Sequence, residues 1–411
     1  MRRLLAFPAV AMAGLLALAG CTTHAATHAA GHPRPAKLTT GPGITPTDIT
    51  LGALVDYSGP FADDGIAVLH GQQIWIKDTN SAGGICGRKV KLAIHDDRGD
   101  IGQAKAQYAD LEPDVVGFMQ IQGAATAALR QNLIDNETTA VALSASSELL
   151  NNPYVIIPAA TYDIEMINGL AALMAQGKIH DGDTIGHIWL DGEYGANALR
   201  GVQYFAQLHH LTLRATKVTA ESDMRQVVAG FAAVPRVKAI ALSTTPAQTA
   251  SIAAVNQQLR LGVPMIANSP AFTPQLLSGA AAATLSNLSV VASSVPFSAA
   301  MSQAEHVASA YRQAGYPELP NGGVPYGYAI GTVWGQILKR ACTNGDLSRP
   351  GIQEALRQFS TLSTDNLVAD LSFARPGSPT TRLGYLGIPD PAVPGGIRQA
   401  SPLFESPEAH G

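Results

Sequence analysis

The densest group of titratable residues in the chain is His95-Asp96-Asp97, a histidine beside two carboxylates that could serve as a general base or hold a metal ion. The triplet ends an apolar stretch of strand length. Neighbours on a strand point to opposite faces, so the three converge only if the chain bends there. Elsewhere the sequence has no Gly-x-Ser-x-Gly elbow, no His-Glu-x-x-His pair, no Gly-x-x-x-x-Gly-Lys-Ser/Thr loop, and no Gly-x-Gly-x-x-Gly after a strand. No nucleophile stands beside a base, and the few cysteines are too far apart for a cysteine-based zinc site. The sequence thus predicts no cofactor or metal and argues against an enzyme, although distant residues can assemble a catalytic site that no local motif shows. A secreted hydrolase using His95 or His187 with nearby acids is the enzymatic alternative.

The elements that would position a site follow from hydrophobic patterning. Short, nearly continuous apolar runs predict strands at 49–55, 90–94, 115–118, 140–143, 185–190, 239–242 and 288–292. Strands apolar on both faces belong to parallel sheets covered by helices on each side. Between them, helical patterns occupy 67–80, 101–111, 124–136, 197–209, 246–261, 303–314 and 326–341. Thr245-Pro246-Ala247-Gln248 supplies a capping hydroxyl, a proline at the first helical position and a Gln to close a capping box, and Ser302-Gln303-Ala304-Glu305 predicts the same device. About 330 residues of such β-α units predict an α/β protein with two doubly wound sheets. Ligands of such sheets bind where strands feed their carboxyl ends into loops.

With 411 residues the chain is long enough for two or three domains, and its 14 % of charged residues argue against global disorder. Lys and Arg number 27 against 31 Asp and Glu, with no basic run longer than a pair, which excludes nucleic acid as a partner. Arg2 and Arg3 precede an uncharged apolar stretch from Leu4 to Leu18, the layout of a secretion signal that is too short to span a bilayer. It ends in Leu18-Ala19-Gly20-Cys21, which resembles the lipobox of bacterial lipoproteins. That resemblance implies a signal peptide over 1–21, lipidation of Cys21, and attachment to the outer face of the cell membrane. An ordinary secretory signal is the alternative. Residues 22–46, rich in Thr, His, Ala, Gly and Pro with no acid, predict a flexible tether. His24, His28 and His32 recur every fourth residue, but Gly31 and Pro33 argue against the helix that would align them. In an exported protein the two remaining cysteines, Cys86 and Cys342, predict one disulfide, with two unrelated buried thiols as the alternative.

The run Ile49-Thr-Leu-Gly-Ala-Leu-Val-Asp-Tyr-Ser58-Gly59-Pro60, followed by Gly71, Asn80, Gly83-Gly84-Ile85 and Gly87-Arg88, resembles the opening of the type I periplasmic solute-binding proteins. The nearest branch is the Leu/Ile/Val-binding family that serves ABC importers. The likeness continues through Asp96-Asp97, Leu190-Asp-Gly-Glu-Tyr194-Gly195, Val263-Pro264 and Gly327-Tyr328, and so covers roughly residues 47–390. It implies two α/β lobes joined by three crossover segments, near 158–161, 292–296 and 373–379, that close on a small molecule. The N-terminal lobe would comprise 47–159 plus 293–375 and hold both Cys86 and Cys342. The C-terminal lobe would comprise 160–292 plus 376–411. The partners implied are a small-molecule ligand and a membrane ABC permease, with the protein a monomer; a sensor of the same fold signalling to a protein partner is the alternative.

Carried over residue by residue, the resemblance implies ligand contacts at Gln122 and Gly123, at Ser146 and Ser147 in Ser144-Ala145-Ser146-Ser147, and at Tyr194. Capping of the following turn is the alternative role for the serines. The acid that pairs with an amino-acid ammonium in the family should fall near Asn268-Ser269-Pro270, where no carboxylate stands. Asp64 is the candidate replacement, with a solvated loop or helix-cap carboxylate as the alternative role. Tyr162, Asp163, Thr244 and Thr245 complete the candidates. The pocket expected is polar but weakly charged, suited to an amino acid, an amide or an aromatic acid.

Overall fold

The computed structural model describes residues 38–233, 236–278 and 282–410. Cys21 and the histidines at 24, 28 and 32 lie outside the described residues. Five parallel strands form the first sheet: β1 (Asp48–Val55), β2 (Lys89–Asp96), β3 (Phe118–Ile121), β4 (Ala140–Ala142) and β5 (Val155–Ile156). Their order is β2-β1-β3-β4-β5. The second sheet contains β6 (Thr184–Leu190), β7 (Thr212–Val218), β8 (Ile240–Ser243), β9 (Met265–Asn268), β10 (Leu288–Ala292), β11 (Tyr385–Pro389) and β12 (Ile397–Gln399), ordered β7-β6-β8-β9-β10-β11-β12. Its first five strands are parallel and repeat the order of the first sheet, while β11 and β12 add an antiparallel edge. Each sheet therefore reverses its winding beside its first strand, and the crevice at that reversal is where ligands of doubly wound folds bind.

The helices are α1 (Ala62–Ser81), α2 (Ile101–Leu111), α3 (Gly123–Ala128), α4 (Arg130–Asp135), α5 (Tyr162–Ala175), α6 (Glu193–Leu208), α7 (Met224–Gly230), α8 (Pro246–Gln258), α9 (Ser302–Ala314), α10 (Gly323–Thr343) and α11 (Arg349–Arg357). After β5 the chain passes to the second sheet, where α5 buries Met166, Leu170 and Leu173 among its strands and helices. After β10 it returns to the first, where α9 and α10 pack on α1. It then crosses once more between residues 372 and 385 to add β11.

The packing of α1 on α10 depends on glycines. A Cβ on Gly327 would stand 1.9 Å from the Val68 carbonyl oxygen, one on Gly71 2.0 Å from that of Val324, and one on Gly331 2.3 Å from Cγ of Trp75. The two backbones thus touch directly, with the Trp75 ring laid over the gap. At the foot of this pair Cys86 and Cys342 are joined by a disulfide, their Cα atoms 6.3 Å apart. Both are half-buried against the core.

Several expectations are corrected. The third strand runs from Phe118 to Ile121, not over 115–118, because the turn Glu112–Asp114 delays it. The single helix expected over 124–136 is two short ones, broken at Leu129. The capping box at Thr245 is present, but Ser302 is the first helical residue and Met301 precedes it with no side-chain cap. The tether does not extend to residue 46. Thr39–Thr40 pairs in parallel with Asp346–Leu347, Leu38 packs on the core, and the Thr50 N–H donates to the Gly43 carbonyl at 2.7 Å.

Candidate functional site

At the end of β1, Asp56 accepts hydrogen bonds from the N–H groups of Ser58 (2.9 Å) and Gly59 (2.6 Å), turning the chain sharply into α1. Only glycine fits at 59, since a Cβ there would meet Asp56 Oδ2 at 1.9 Å. This turn brings Phe61 and Asp64 to the crevice. Asp64 is therefore neither a solvated loop carboxylate nor a cap. It lies in the first turn of α1, accepts a hydrogen bond from Asn321 Nδ2 at 3.0 Å, and burial, with Asp63 beside it, holds its carboxyl well above the usual range. From the first sheet's switch point, Gln122 enters as the N-cap of α3 with Gly123 behind it.

The second sheet contributes from its own switch point. After β6 the chain turns at Gly192, whose φ of 124° is a glycine conformation, into α6. Gly195 packs so closely that a Cβ would lie 2.0 Å from the Leu190 carbonyl oxygen. This fixes Tyr194, whose ring meets Tyr162 edge-on at 4.7 Å and Phe61 at 6.0 Å. The Tyr194 hydroxyl is buried and has no hydrogen-bond partner among the described residues.

Between the carboxyl ends of the two sheets lies a cavity of about 410 Å³. Asp64, Gln122, Gly123, Tyr162 and Tyr194 all line it. Apolar and aromatic side chains make up most of the wall, among them Phe61, Leu143, Phe272, Val290, Phe297 and Tyr326, so the interior is less polar than the sequence suggests. Seven acids reach the wall, Asp56, Asp64, Asp97, Asp100, Glu165, Asp191 and Glu193. Among the described residues no Lys, Arg or His does.

The remaining candidates are elsewhere. Ser146 caps the turn Ser147–Asn151 through the Glu148 N–H, and Ser147 Oγ donates to Asp163 Oδ2 at 2.7 Å. Thr244 is buried with its hydroxyl 2.8 Å from that of Thr249, and Thr245 is spent in the capping box of α8. Each hydroxyl is engaged within the protein, and none of these four residues lines the cavity. Asp163, bonded to Thr161, Ser147 and Asn197, is likewise absent from the wall. His95 and Asp96 stay apart from the cavity, and among the described residues no group of three or more His, Cys, Asp or Glu is placed to hold a metal ion.

The residue that sequence reasoning missed is Glu165. It extends from α5 to the loop after β9, 2 % exposed. There its Oε2 accepts from Asn268 Nδ2 (2.9 Å) and the Ser269 N–H (3.3 Å), and its Oε1 bonds Ser269 Oγ at 3.1 Å. An acid thus stands at Asn268-Ser269 after all, supplied by another element. Behind it a buried chain continues through Asn268 Oδ1 and Ser243 Oγ (2.7 Å) to His187 Nε2 (3.0 Å). Burial raises the Glu165 carboxyl to about 8 and lowers the His187 imidazole to about 3, so both are neutral near pH 7. One clue was available: an acid at 165 shares a helical face with Tyr162 in the otherwise apolar stretch Tyr162–Ala175.

The family model for periplasmic binding proteins matches residues 48–387, most of the chain. The chain belongs to the periplasmic binding protein family. Among solved structures of this kind it is similar to a fatty acid ABC transporter substrate-binding protein from Thermomonospora curvata, at 30 % identity, covering 91 % of this chain and 96 % of that one with a TM-score of 0.87. A branched chain amino acid ABC transporter protein from Thermus thermophilus with bound valine shares the fold, with 14 % identity, 89 % and 99 % coverage and a TM-score of 0.78. A Leu/Ile/Val-binding protein, BraC3, from Rhizobium johnstonii is 30 % identical over 115 residues, which span 28 % of this chain and 28 % of that curated relative. Among the described residues of this periplasmic binding protein no helix is long and apolar enough to cross a membrane.

Proposed function

We propose that this protein is the extracytoplasmic substrate-binding component of an ABC importer, and that its ligand has an apolar body with a single carboxylic acid head, of the fatty-acid class. The observation that carries the reading is the cavity: about 410 Å³ at the switch points of both sheets, walled mostly by apolar and aromatic side chains. A wall that is mostly apolar favours an aliphatic body over a compact zwitterion with two charged ends. The 30 % identical protein from Thermomonospora curvata is a fatty acid ABC transporter substrate-binding protein, which supports the same class.

In this reading Asp64, Gln122, Gly123, Tyr162 and Tyr194 contact the ligand. The lobes 47–159 plus 293–375 and 160–292 plus 376–411 close on it about the three connecting segments. Lipidated Cys21 tethers the monomer beside its permease. Nothing in the site calls for catalysis. The test is thermal unfolding of the full chain, stripped by unfolding and refolding, with dodecanoic acid and with valine. Dodecanoic acid at 100 times its dissociation constant should add about 2.7 kcal/mol of stability. Stabilisation by valine alone would overturn the reading.

A further inference from the structure

A carboxylate entering this cavity meets seven acids and no base. Desolvating an anion without a counter-charge or donor costs several kcal/mol, so a carboxylic acid ligand requires a group that supplies a proton or hydrogen-bond donors. Several side chains on the wall have that capacity, Asp64 and Gln122 among them, and two buried ones on α5 and α6 stand out.

The first is Glu165. The orientation of Asn268 is fixed, because its Nδ2 also donates to the Tyr162 carbonyl (3.1 Å), a group that only accepts, while its Oδ1 receives the Ser243 hydroxyl. Asn268 and the Ser269 N–H therefore both donate to Glu165 Oε2. That oxygen's hydrogen-bonding capacity is used within the protein. A proton on this carboxyl sits on Oε1, whose one protein neighbour, Ser269 Oγ, can itself serve as donor. The Oε1–H is left for the cavity. The second is Tyr194, whose buried hydroxyl has no hydrogen-bond partner among the described residues.

We propose that Glu165 is a specificity-determining residue of the ligand site, binding the ligand carboxylate as a protonated carboxyl so that the two acids share one proton, with the Tyr194 hydroxyl as second donor. The proposal rests on the reading of the ligand as an apolar-bodied acid. The proton comes from Glu165 itself and remains between the two carboxyls, so no other co-reactant is needed. The groups around Glu165 do not oppose it. Asp163 and Tyr162 come from its own helix, Tyr194 from α6, Tyr326 from α10 and Tyr385 from β11, and no cation is among them. Burial, with Asp163 adding to it, holds the carboxyl protonated up to about pH 8.

The ligand raises the affinity of Glu165 for its proton, so binding is full below about pH 8 and is lost as pH rises through and beyond that value. The experiment is titration of the full chain with dodecanoic acid and dodecylamine between pH 6.5 and 9.5, for the wild type, Glu165→Gln and Glu165→Ala, with folding of each variant checked by circular dichroism. The wild-type dissociation constant for dodecanoic acid should weaken by up to about tenfold per pH unit above 8. Glu165→Gln, whose amide still donates, should bind with a flat profile, and Glu165→Ala should bind at least tenfold more weakly at pH 7. A wild-type profile that is flat, a Glu165→Gln profile that still falls, or tighter binding of dodecylamine would overturn the role of Glu165. Absence of binding by either probe at every pH would instead overturn the ligand class on which it rests.

Discussion

At the scale of single residues, Tyr194 separates ligand binding from stability. Its hydroxyl is buried with no hydrogen-bond partner among the described residues, so within the fold it contributes desolvation cost without a compensating bond. Tyr194→Phe should leave chemical denaturation unchanged or slightly raise its midpoint, while weakening dodecanoic acid binding by about tenfold; equal affinity in the two proteins would remove the hydroxyl from the site. Glu165 and His187 give stability a pH dependence of opposite sign. Glu165 is raised from 4.5 in the fold, so its contribution is full below about pH 4.5 and declines as pH rises toward 8. His187 is lowered from 6.5, so its contribution is full above that pH and is lost as pH falls toward 3. Urea midpoints measured from pH 5 to 9 should therefore decline on the alkaline side in the wild type and less in Glu165→Gln; the same alkaline decline in both would contradict the assignment. Tyr194 was among the contacts that the resemblance implied, and it lines the cavity. Glu165 was not, since its place beside Asn268 depends on a contact between elements 103 residues apart.

At the scale of elements, the α1–α10 pair is the most constrained contact of the first sheet's helical layer. Gly327→Ala would drive a Cβ into the Val68 carbonyl, and a backbone carbonyl in a helix cannot swing aside as a side chain can. The expected cost is about 1–3 kcal/mol, read as a lowered urea midpoint, with the larger end favoured because the clash is with backbone. An unchanged midpoint would mean the helices separate freely. Strands apolar on both faces, such as β1 and β10, were legible because burial on both sides leaves a continuous apolar run. The strand β7 was not, for it lies at a sheet edge, and its sequence TLRATKV mixes exposed charge with half-buried positions. The strand β5, with two residues, is too short for an apolar run to register, whereas β9 has the length of β8, which was read. The lost cap at Ser302 has a local cause: the helix begins one residue earlier than the motif assumes, so the hydroxyl falls inside the first turn.

At the scale of the molecule, one covalent link joins segments 256 residues apart, Cys86 beyond α1 and Cys342 near the end of α10. A loop of that length restricts the unfolded chain strongly, and its reduction should lower stability by about 5–6 kcal/mol in the chain-entropy model. Two free thiols titrated in the native protein, or an unchanged melting temperature in reductant, would contradict the bridge. The two-sheet architecture followed from the sequence because alternating strands and helices leave few other arrangements. The character of the cavity did not. Its wall is assembled from loops of both sheets and from α5 and α10, and apolar residues such as Val290 and Tyr326 look like ordinary core until the fold turns them to a common space. The central claim is that this space holds one apolar-bodied acid. Calorimetric titration of the stripped full chain with dodecanoic acid at several temperatures tests it most directly. The account predicts one molecule bound per chain with a negative heat-capacity change from apolar burial. Saturable binding of valine with no response to dodecanoic acid would contradict it.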